Sequence, residues 1–385
     1  MQHQHDERQS RRHFLKTAAA TSGGVLGASM LPAFGNVPLF GAERKTKHLV
    51  FIAFAGGVRT REMYGTPGNI PNLKAMADDG VVYTRARTAN LGHFGATMSI
   101  FTGISEARGI RENARGTDPT VFEYLRKDLV MPQSDIWVTT AGGAQQTNYS
   151  HSLHPDYGPK YGATTMDGDG IFNKEFQDVL QAYGLPKKMQ EGEVQALQEL
   201  RDSLGGANPS EQEAMARIES YILEELTSGT SNISGANAGD AKALRLARNL
   251  LSIFKPKVVG VVLQNADVAH GSFNGYSEVI RRNDAAIGEM WQAVQADPEL
   301  ADSTAFIVLP EFGRDADLNA RRGLDHGDGS EDLRYVNITC WGPDFKSGKV
   351  IKDDVRTIDA TATACELFGA TAKYSRGTKL PGLFA

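Results

Sequence analysis

Cysteine is nearly absent from this chain of 385 residues: Cys340 and Cys365 are the only two. One pair cannot build a disulfide framework, and neither thiol sits in a metal-type spacing, which excludes a cysteine-organised fold. Two buried free thiols are the expected state, with a Cys340–Cys365 bond as the alternative. Basic blocks are missing beyond the N-terminus, and 41 Lys+Arg stand against 46 Asp+Glu. That mildly acidic balance offers no footprint for a nucleic acid. Long apolar runs are missing as well. The weakly apolar stretch from Thr17 to Leu31 is too short, and too rich in Ala, Gly, Ser and Thr, for a stable membrane span. What is present, 41% hydrophobic residues, is ordinary for a globular chain and enough to build a core.

Ahead of that stretch stands Ser10-Arg11-Arg12-His13-Phe14-Leu15-Lys16. Paired arginines before Phe-Leu-Lys match the twin-arginine export pattern. The expectation is a signal peptide over 1–42, cleaved between Ala33 and Ala42, with the translocase as a partner and a periplasmic or extracellular destination. The folded domain then spans 43–385.

Within it, apolar strand-like runs alternate with helix signals. HLVFIAF at His48–Phe54 ends on Ala55-Gly56-Gly57. Pro71–Asp79 reads as a helix, with Pro at its start and Gly80 past its end. Val81–Thr88 is a strand, His93–Phe101 a helix, Pro119–Lys127 a short helix and Ile136–Thr140 a strand. The segment Phe172–Phe254 has helical patterns and no good strand, so it reads as a helical insertion. Strands resume at Lys257–Leu263, Thr304–Leu309 and Val336–Cys340, with helices at Tyr276–Gln295 and Asp359–Phe368. Alternation of this kind predicts an α/β fold: a doubly wound, mostly parallel sheet flanked by helices.

Three polar clusters follow the later strands: Asn265-Ala266-Asp267-Val268-Ala269-His270-Gly271, Pro310-Glu311-Phe312-Gly313-Arg314-Asp315 and Gly323-Leu324-Asp325-His326-Gly327-Asp328-Gly329. Ligands in open α/β sheets bind at the carboxyl ends of strands. Mixed histidine and carboxylate sets suit zinc or a similar divalent ion. Each cluster also has a bland reading. Asp267 suits a turn cap, His270 a hydrogen-bonded loop, Glu311 an ion pair with Arg314, and Asp325-His326 a Gly-rich surface loop. His151 and His154 line a cleft or hold a loop. Arg59 and Arg314 meet an anionic substrate, or are ordinary surface and paired charges.

The order of these motifs resembles the alkaline-phosphatase/sulfatase superfamily. The likeness spans Lys47–Lys127 and Pro256–Leu383. It is carried by Asn69-Ile70-Pro71-Asn72-Leu73 with Asp79-Gly80-Val81, by Ser99-Ile100-Phe101-Thr102-Gly103, and by Asp267, His270-Gly271, Tyr276 and Asp284. The resemblance implies one metal site on Asp267, His270 and His326, with Glu311 and Asp325 as a further ligand or as orienting groups. The Asp–His spacing is one residue shorter than usual in the family. The resemblance also implies losses. Ala55 or Gly56 stands where a second site takes an Asp, and Phe312 where it takes a His. Counting back from Gly103 places His93 where the nucleophile is normally Ser, Thr or Cys. Two readings follow: a one-metal hydrolase of small anionic sulfate or phosphate esters, using zinc, calcium or a similar ion with His93 facing the reacting oxygen; or an exported binding or scaffold protein that kept the fold and lost the chemistry. A phosphate-moving mutase is a third, disfavoured by the missing hydroxyl.

Overall fold

The computed structural model describes residues 44–105, 115–141, 146–166 and 238–385, with a few single positions between 217 and 235. The twin-arginine segment lies outside the described residues, as does most of the expected helical insertion.

Every residue of His48–Phe54 is buried, and this run forms β1 in the middle of one sheet. Around it lie β2 (Val81–Arg87), β3 (Ile136–Thr140), β4 (Thr164–Met166), β5 (Val258–Leu263), β6 (Thr304–Pro310), β7 (Tyr335–Trp341), β8 (Lys349–Ile351) and β9 (Val355–Arg356). The order is β4-β3-β5-β1-β6-β7-β2-β8, with β9 also pairing β2. Only β7 runs against the rest. The expected mostly parallel sheet is therefore present, with β1 paired to β5 on one side and β6 on the other.

Both faces are covered. Leu49, Phe51 and Ala53 join one apolar cluster; Val50, Ile52 and Phe54 join the opposite one, as strand alternation demands. The first face is covered by α2 (His93–Thr102), α3 (Val121–Asp128) and α7 (Asp359–Leu367). The second carries α1 (Pro71–Asp79), α4 (Gly239–Phe254) and α5 (Phe273–Ala296). A short α6 (Glu331–Arg334) precedes β7. Thus α4, the described end of the expected insertion, packs on β3, β5 and α5. Cys340 and Cys365 are buried free thiols. No helix of the described residues is long and apolar enough to cross a membrane.

Asp284 and Tyr276, part of the family-like motif, serve the scaffold. The Asp284 carboxylate accepts the N–H groups of Asn72 and Leu73 and so caps the Pro71 helix from α5. The Tyr276 hydroxyl accepts from the Arg59 N–H at 2.9 Å.

Asp240 ties α4 to the loop after β5. Its buried carboxylate accepts from Gln264 N at 2.7 Å, Asn265 N at 3.1 Å and Asn283 Nδ2 at 2.7 Å. Burial nevertheless outweighs these bonds and pushes this carboxyl up to about 6. The folded chain then holds the proton more tightly than the unfolded one, so this group's contribution to stability is lost as pH rises through that window. Unfolding by urea should show wild type losing stability relative to Asp240→Asn between about pH 4 and 6, by at most about 1.4 kcal/mol per unit, with no further change above pH 7. A flat difference across that range would contradict the assignment.

Candidate metal centre

The loop after β5 is a 3-10 helix, Asn265–His270. With three residues per turn, positions three apart share a face. Asp267 Oδ1 accordingly lies 3.3 Å from His270 Nε2. The short Asp–His spacing is thus absorbed by the tighter helix, not by Asn265, whose Oδ1 accepts from the Asp240 N–H.

His93 enters from another element. It opens α2, directly after Gly92. Its Nδ1 lies 2.6 Å from Glu311 Oε1 and 3.2 Å from the Ala55 carbonyl. His326 comes from the Gly/Asp-rich loop, and its Nδ1 donates to the Leu91 carbonyl at 3.0 Å. His270 Nδ1 donates to Asp325 Oδ1 at 2.6 Å. The His326 ring centroid lies 4.7 Å from that of His93 and 5.1 Å from that of His270. One ring nitrogen from each of the three lies within 4.8 Å of the others.

Each imidazole has Nδ1 facing an oxygen acceptor, so Nε2 is the ring nitrogen left to meet an ion. That is the way metal-binding histidines are oriented by their surroundings. His93 Nε2 is buried, 2.9 Å from Asp267 Oδ1 but without hydrogen-bond alignment. A site of three imidazoles with one carboxylate beside them fits a divalent transition ion. Sequence reasoning placed Asp267, His270 and His326 together and gave His93 a catalytic role; the structure brings His93 into the same cluster.

Charge is arranged around these rings. Burial opposes protonation of His93, but the Asp267 and Glu311 carboxylates more than offset it and raise this imidazole to about 9. Burial would raise Asp267 too, yet His93 and Arg314 hold it well below the usual carboxylate range. Burial raises Glu311, against hydrogen bonds from His93 and Thr97. Burial and the neighbouring cations lower His326, keeping its lone pair free at neutral pH.

The remaining expected residues fall into place, some not as read. Glu311 and Asp325 orient His93 and His270 through Nδ1, as just described. Arg59 and Arg314, read as substrate-binding, are buried and already engaged. Arg59 is buried, bound to both Glu62 oxygens at 2.7 Å and to the carbonyls of Asp315 and Ala316. Arg314 is wholly buried and bonds Asp267, His270 and three carbonyls. Both supply donors to main-chain carbonyls of the other strand's following loop, Arg59 to those after β6 and Arg314 to those after β1, where carbonyls outside the ladder need partners. His151 bonds the Ser152 carbonyl, and His154 Nδ1 accepts from Asp156 N while packing on Tyr157 and Tyr374, so both hold loop structure.

The losses have physical causes. A Cβ on Gly56 would meet the Gln264 carbonyl oxygen at 2.6 Å and Asp267 N at 2.7 Å, so no carboxylate fits there. Phe312, where a histidine was absent, forms an apolar floor 5.0 Å from the His93 ring and 5.1 Å from that of His326. A Cβ on Gly323 would strike the Ala269 and His270 carbonyls, which is how the His326 loop lies down on the 3-10 helix. Sequence reasoning missed the Leu91 carbonyl and Asn319, which donates to the His270 carbonyl at 3.1 Å, and assigned Thr97 to the packing side of its helix, whereas it donates to Glu311 Oε2 at 2.6 Å. Thr97 lies four residues after His93, one helical turn on, and that spacing was the available signal.

No family model matches the sequence, and no curated protein matches it. Solved structures do match the fold. Wild-type alkaline phosphatase PafA aligns with a TM-score of 0.58 at 10% identity, covering 91% of this chain and 100% of its own. The phosphonate monoester hydrolase SpPMH from Silicibacter pomeroyi aligns at 0.54 and 13%, covering 87% and 76%. A putative sulfatase from Bacteroides thetaiotaomicron aligns at 0.52 and 12%, with the same coverage of 87% and 76%. The chain shares the α/β fold of these three structures. The fold places the histidine cluster at the carboxyl ends of β1, β5 and β6, where such sheets bind ligands.

Proposed function

We propose that this protein is an exported, one-metal hydrolase of sulfate or phosphate esters. The observation that carries the reading is the convergence of His93, His270 and His326, each with its Nδ1 anchored to an oxygen. His93, His270, His326 and Asp267 would hold the ion. Three imidazole nitrogens favour zinc or a similar ion over calcium, which prefers oxygen donors. When bound, a divalent ion supplies Lewis acidity toward an ester oxygen.

This chain's own residues do the rest. Asp325, Leu91 and Glu311 hold the three rings. His93 must give up its extra proton before its Nε2 lone pair is free, and the buried Glu311 beside it takes part in holding that proton. With histidine at the nucleophile position there is no hydroxyl to form the usual ester intermediate, so hydrolysis would proceed by direct attack of water. Phe312 keeps one side of the rings dry. Ester substrates are suggested by the phosphatase, phosphonate hydrolase and sulfatase that share the fold. Export rests on Arg11-Arg12 ahead of Phe14-Leu15-Lys16, and the twin-arginine translocase would carry the chain already folded.

A second reading, a metal-holding protein without turnover, is favoured by one observation: both candidate substrate arginines are buried and committed. The test is to purify the mature protein, measure bound metal, and assay aryl sulfate, phosphate and phosphonate esters. About one ion per chain with metal-dependent turnover is expected. Metal without turnover supports the second reading; no metal defeats both.

A further inference from the structure

We propose that Arg314 competes with the metal ion for its ligands and thereby sets how tightly the ion is held, an inference that rests on the metal reading above. The guanidinium offers five N–H donors, and five acceptors meet them. Nε donates to the Gly57 carbonyl at 3.3 Å. Nη1 donates to His270 Nε2 at 3.1 Å and to the Leu324 carbonyl at 3.3 Å. Nη2 donates to the Gly56 carbonyl and to Asp267 Oδ1 at 2.6 Å.

Arginine has no acceptor and does not lose its proton in proteins. His270 Nε2 is therefore the acceptor in this contact, and the ring's one in-plane lone pair is in use. The same lone pair is the only one His270 has for a metal, because its Nδ1–H is spent on Asp325. An ion at His270 must displace the guanidinium from Nε2, and an ion at Asp267 must share or displace it from Oδ1. The other three partners are main-chain carbonyls, so the side chain keeps its place while releasing the two ligands. Its Nε lies where a side chain on Gly57 would intrude, 2.9 Å from the position of a Cβ there, so the glycine is what admits the guanidinium. An ion so placed also faces a like charge in a buried setting, where repulsion is poorly screened.

In the metal-free protein this arginine has a constructive role. It holds Asp267 and His270 in a fixed position and supplies the positive charge that Asp267 requires. Arg314 is thus a positioning residue without the ion and a competitor against it. A thiolate-free, nitrogen-rich site would otherwise bind zinc tightly; the arginine makes that site exchangeable.

The test compares wild type, Arg314→Met and Arg314→Lys by calorimetric titration with zinc and by melting with and without zinc. Arg314→Met removes the charge at similar length. Its zinc Kd should fall about tenfold or more, the scale of one charge-assisted hydrogen bond. Its metal-free melting temperature should drop, and the rise on adding zinc should grow. Arg314→Lys should fall between the two. An unchanged or higher Kd in a cooperatively melting Arg314→Met protein overturns the proposal. If that variant does not fold, nitrogen-15 labelled arginine in wild type decides. Zinc should speed exchange of the Arg314 Nη–H signals, and unaltered signals with zinc bound overturn the idea. Zinc uptake by Arg314→Met but not by wild type supports the competition while correcting the metal reading. No uptake by either chain overturns both.

Discussion

His270→Ala should lower the affinity of the proposed centre for a divalent ion by more than about a hundredfold, since even removing a partner that orients a ligand costs about 10–100-fold. His270 is the proposed ligand that both Asp325 and Arg314 hold in place. It sits at the end of the 3-10 helix, with Nδ1 on Asp325 and Nε2 toward Asp267 and Arg314. Alanine there removes one of three nitrogens. It also leaves the Arg314 Nη1 hydrogen without its partner, which adds a modest loss of stability. Any ester turnover should fall with metal content, because the fold offers no hydroxyl at the nucleophile position to sustain an alternative route. Asp325→Asn tests the same point more gently. Its amide can still accept through its oxygen but no longer as an anion, so the affinity loss should lie within the smaller range. The check is metal analysis of dialysed proteins alongside a zinc titration. Full metal occupancy in His270→Ala would remove His270 from the ligand set and with it the proposed centre.

Glu123→Ala should destabilise the domain by about 4 kcal/mol, at about 1 kcal/mol or more for each buried donor left without an acceptor. Four donors converge on this buried carboxylate. Thr120 N lies at 2.7 Å, completing a capping box at the start of α3. Ser152 N lies at 3.0 Å, Ser152 Oγ at 2.7 Å and Gly158 N at 2.7 Å. Alanine leaves all four buried donors without the acceptor they share. Glu123→Gln keeps one oxygen and introduces two hydrogens toward donors, so it should fall short of full rescue. Urea unfolding followed by circular dichroism measures the loss. A change under 1 kcal/mol would mean that water reaches these donors readily. Metal affinity should stay near wild type, because none of these groups touches the histidine cluster.

How much of this was legible beforehand can be followed residue by residue. Runs of strand-forming, mostly apolar residues marked β1 and β3 to the residue, since a buried parallel strand has no solvent face to blur it. Pro71 and Gly80 bracketed α1 because each acts on its own backbone. β4, β8 and β9 went unread: three residues or fewer cannot show a period of two. The reversed direction of β7 was equally hidden, because an apolar run reads the same either way. The site was legible in its ingredients. Polar clusters after β5 and β6 advertised Asp267, His270 and Glu311, and the Gly-rich loop advertised His326. Their roles were less so. His93 was read as a metal ligand, a general base or a nucleophile, and its ring stands among the other two histidines. Arg59 and Arg314 were read as substrate-facing or as surface or paired charges, and both are buried in ion pairs.

The difference is one of range. Caps, strand runs and the absence of cysteine frameworks or membrane spans follow from neighbours in the chain, so the amino-acid order by itself determined an α/β domain with polar loops after its strands. Whether a side chain becomes a ligand, an orienting partner or a buried cation depends on groups far away in sequence. His93 meets Glu311 across 218 residues, and Arg314 meets Gly56 across 258. Only the packing of the β1, β5 and β6 ends decided that three histidines share a centre, that Gly56 has no space for a carboxylate, and that an arginine stands between two of the ligands and the ion they would hold.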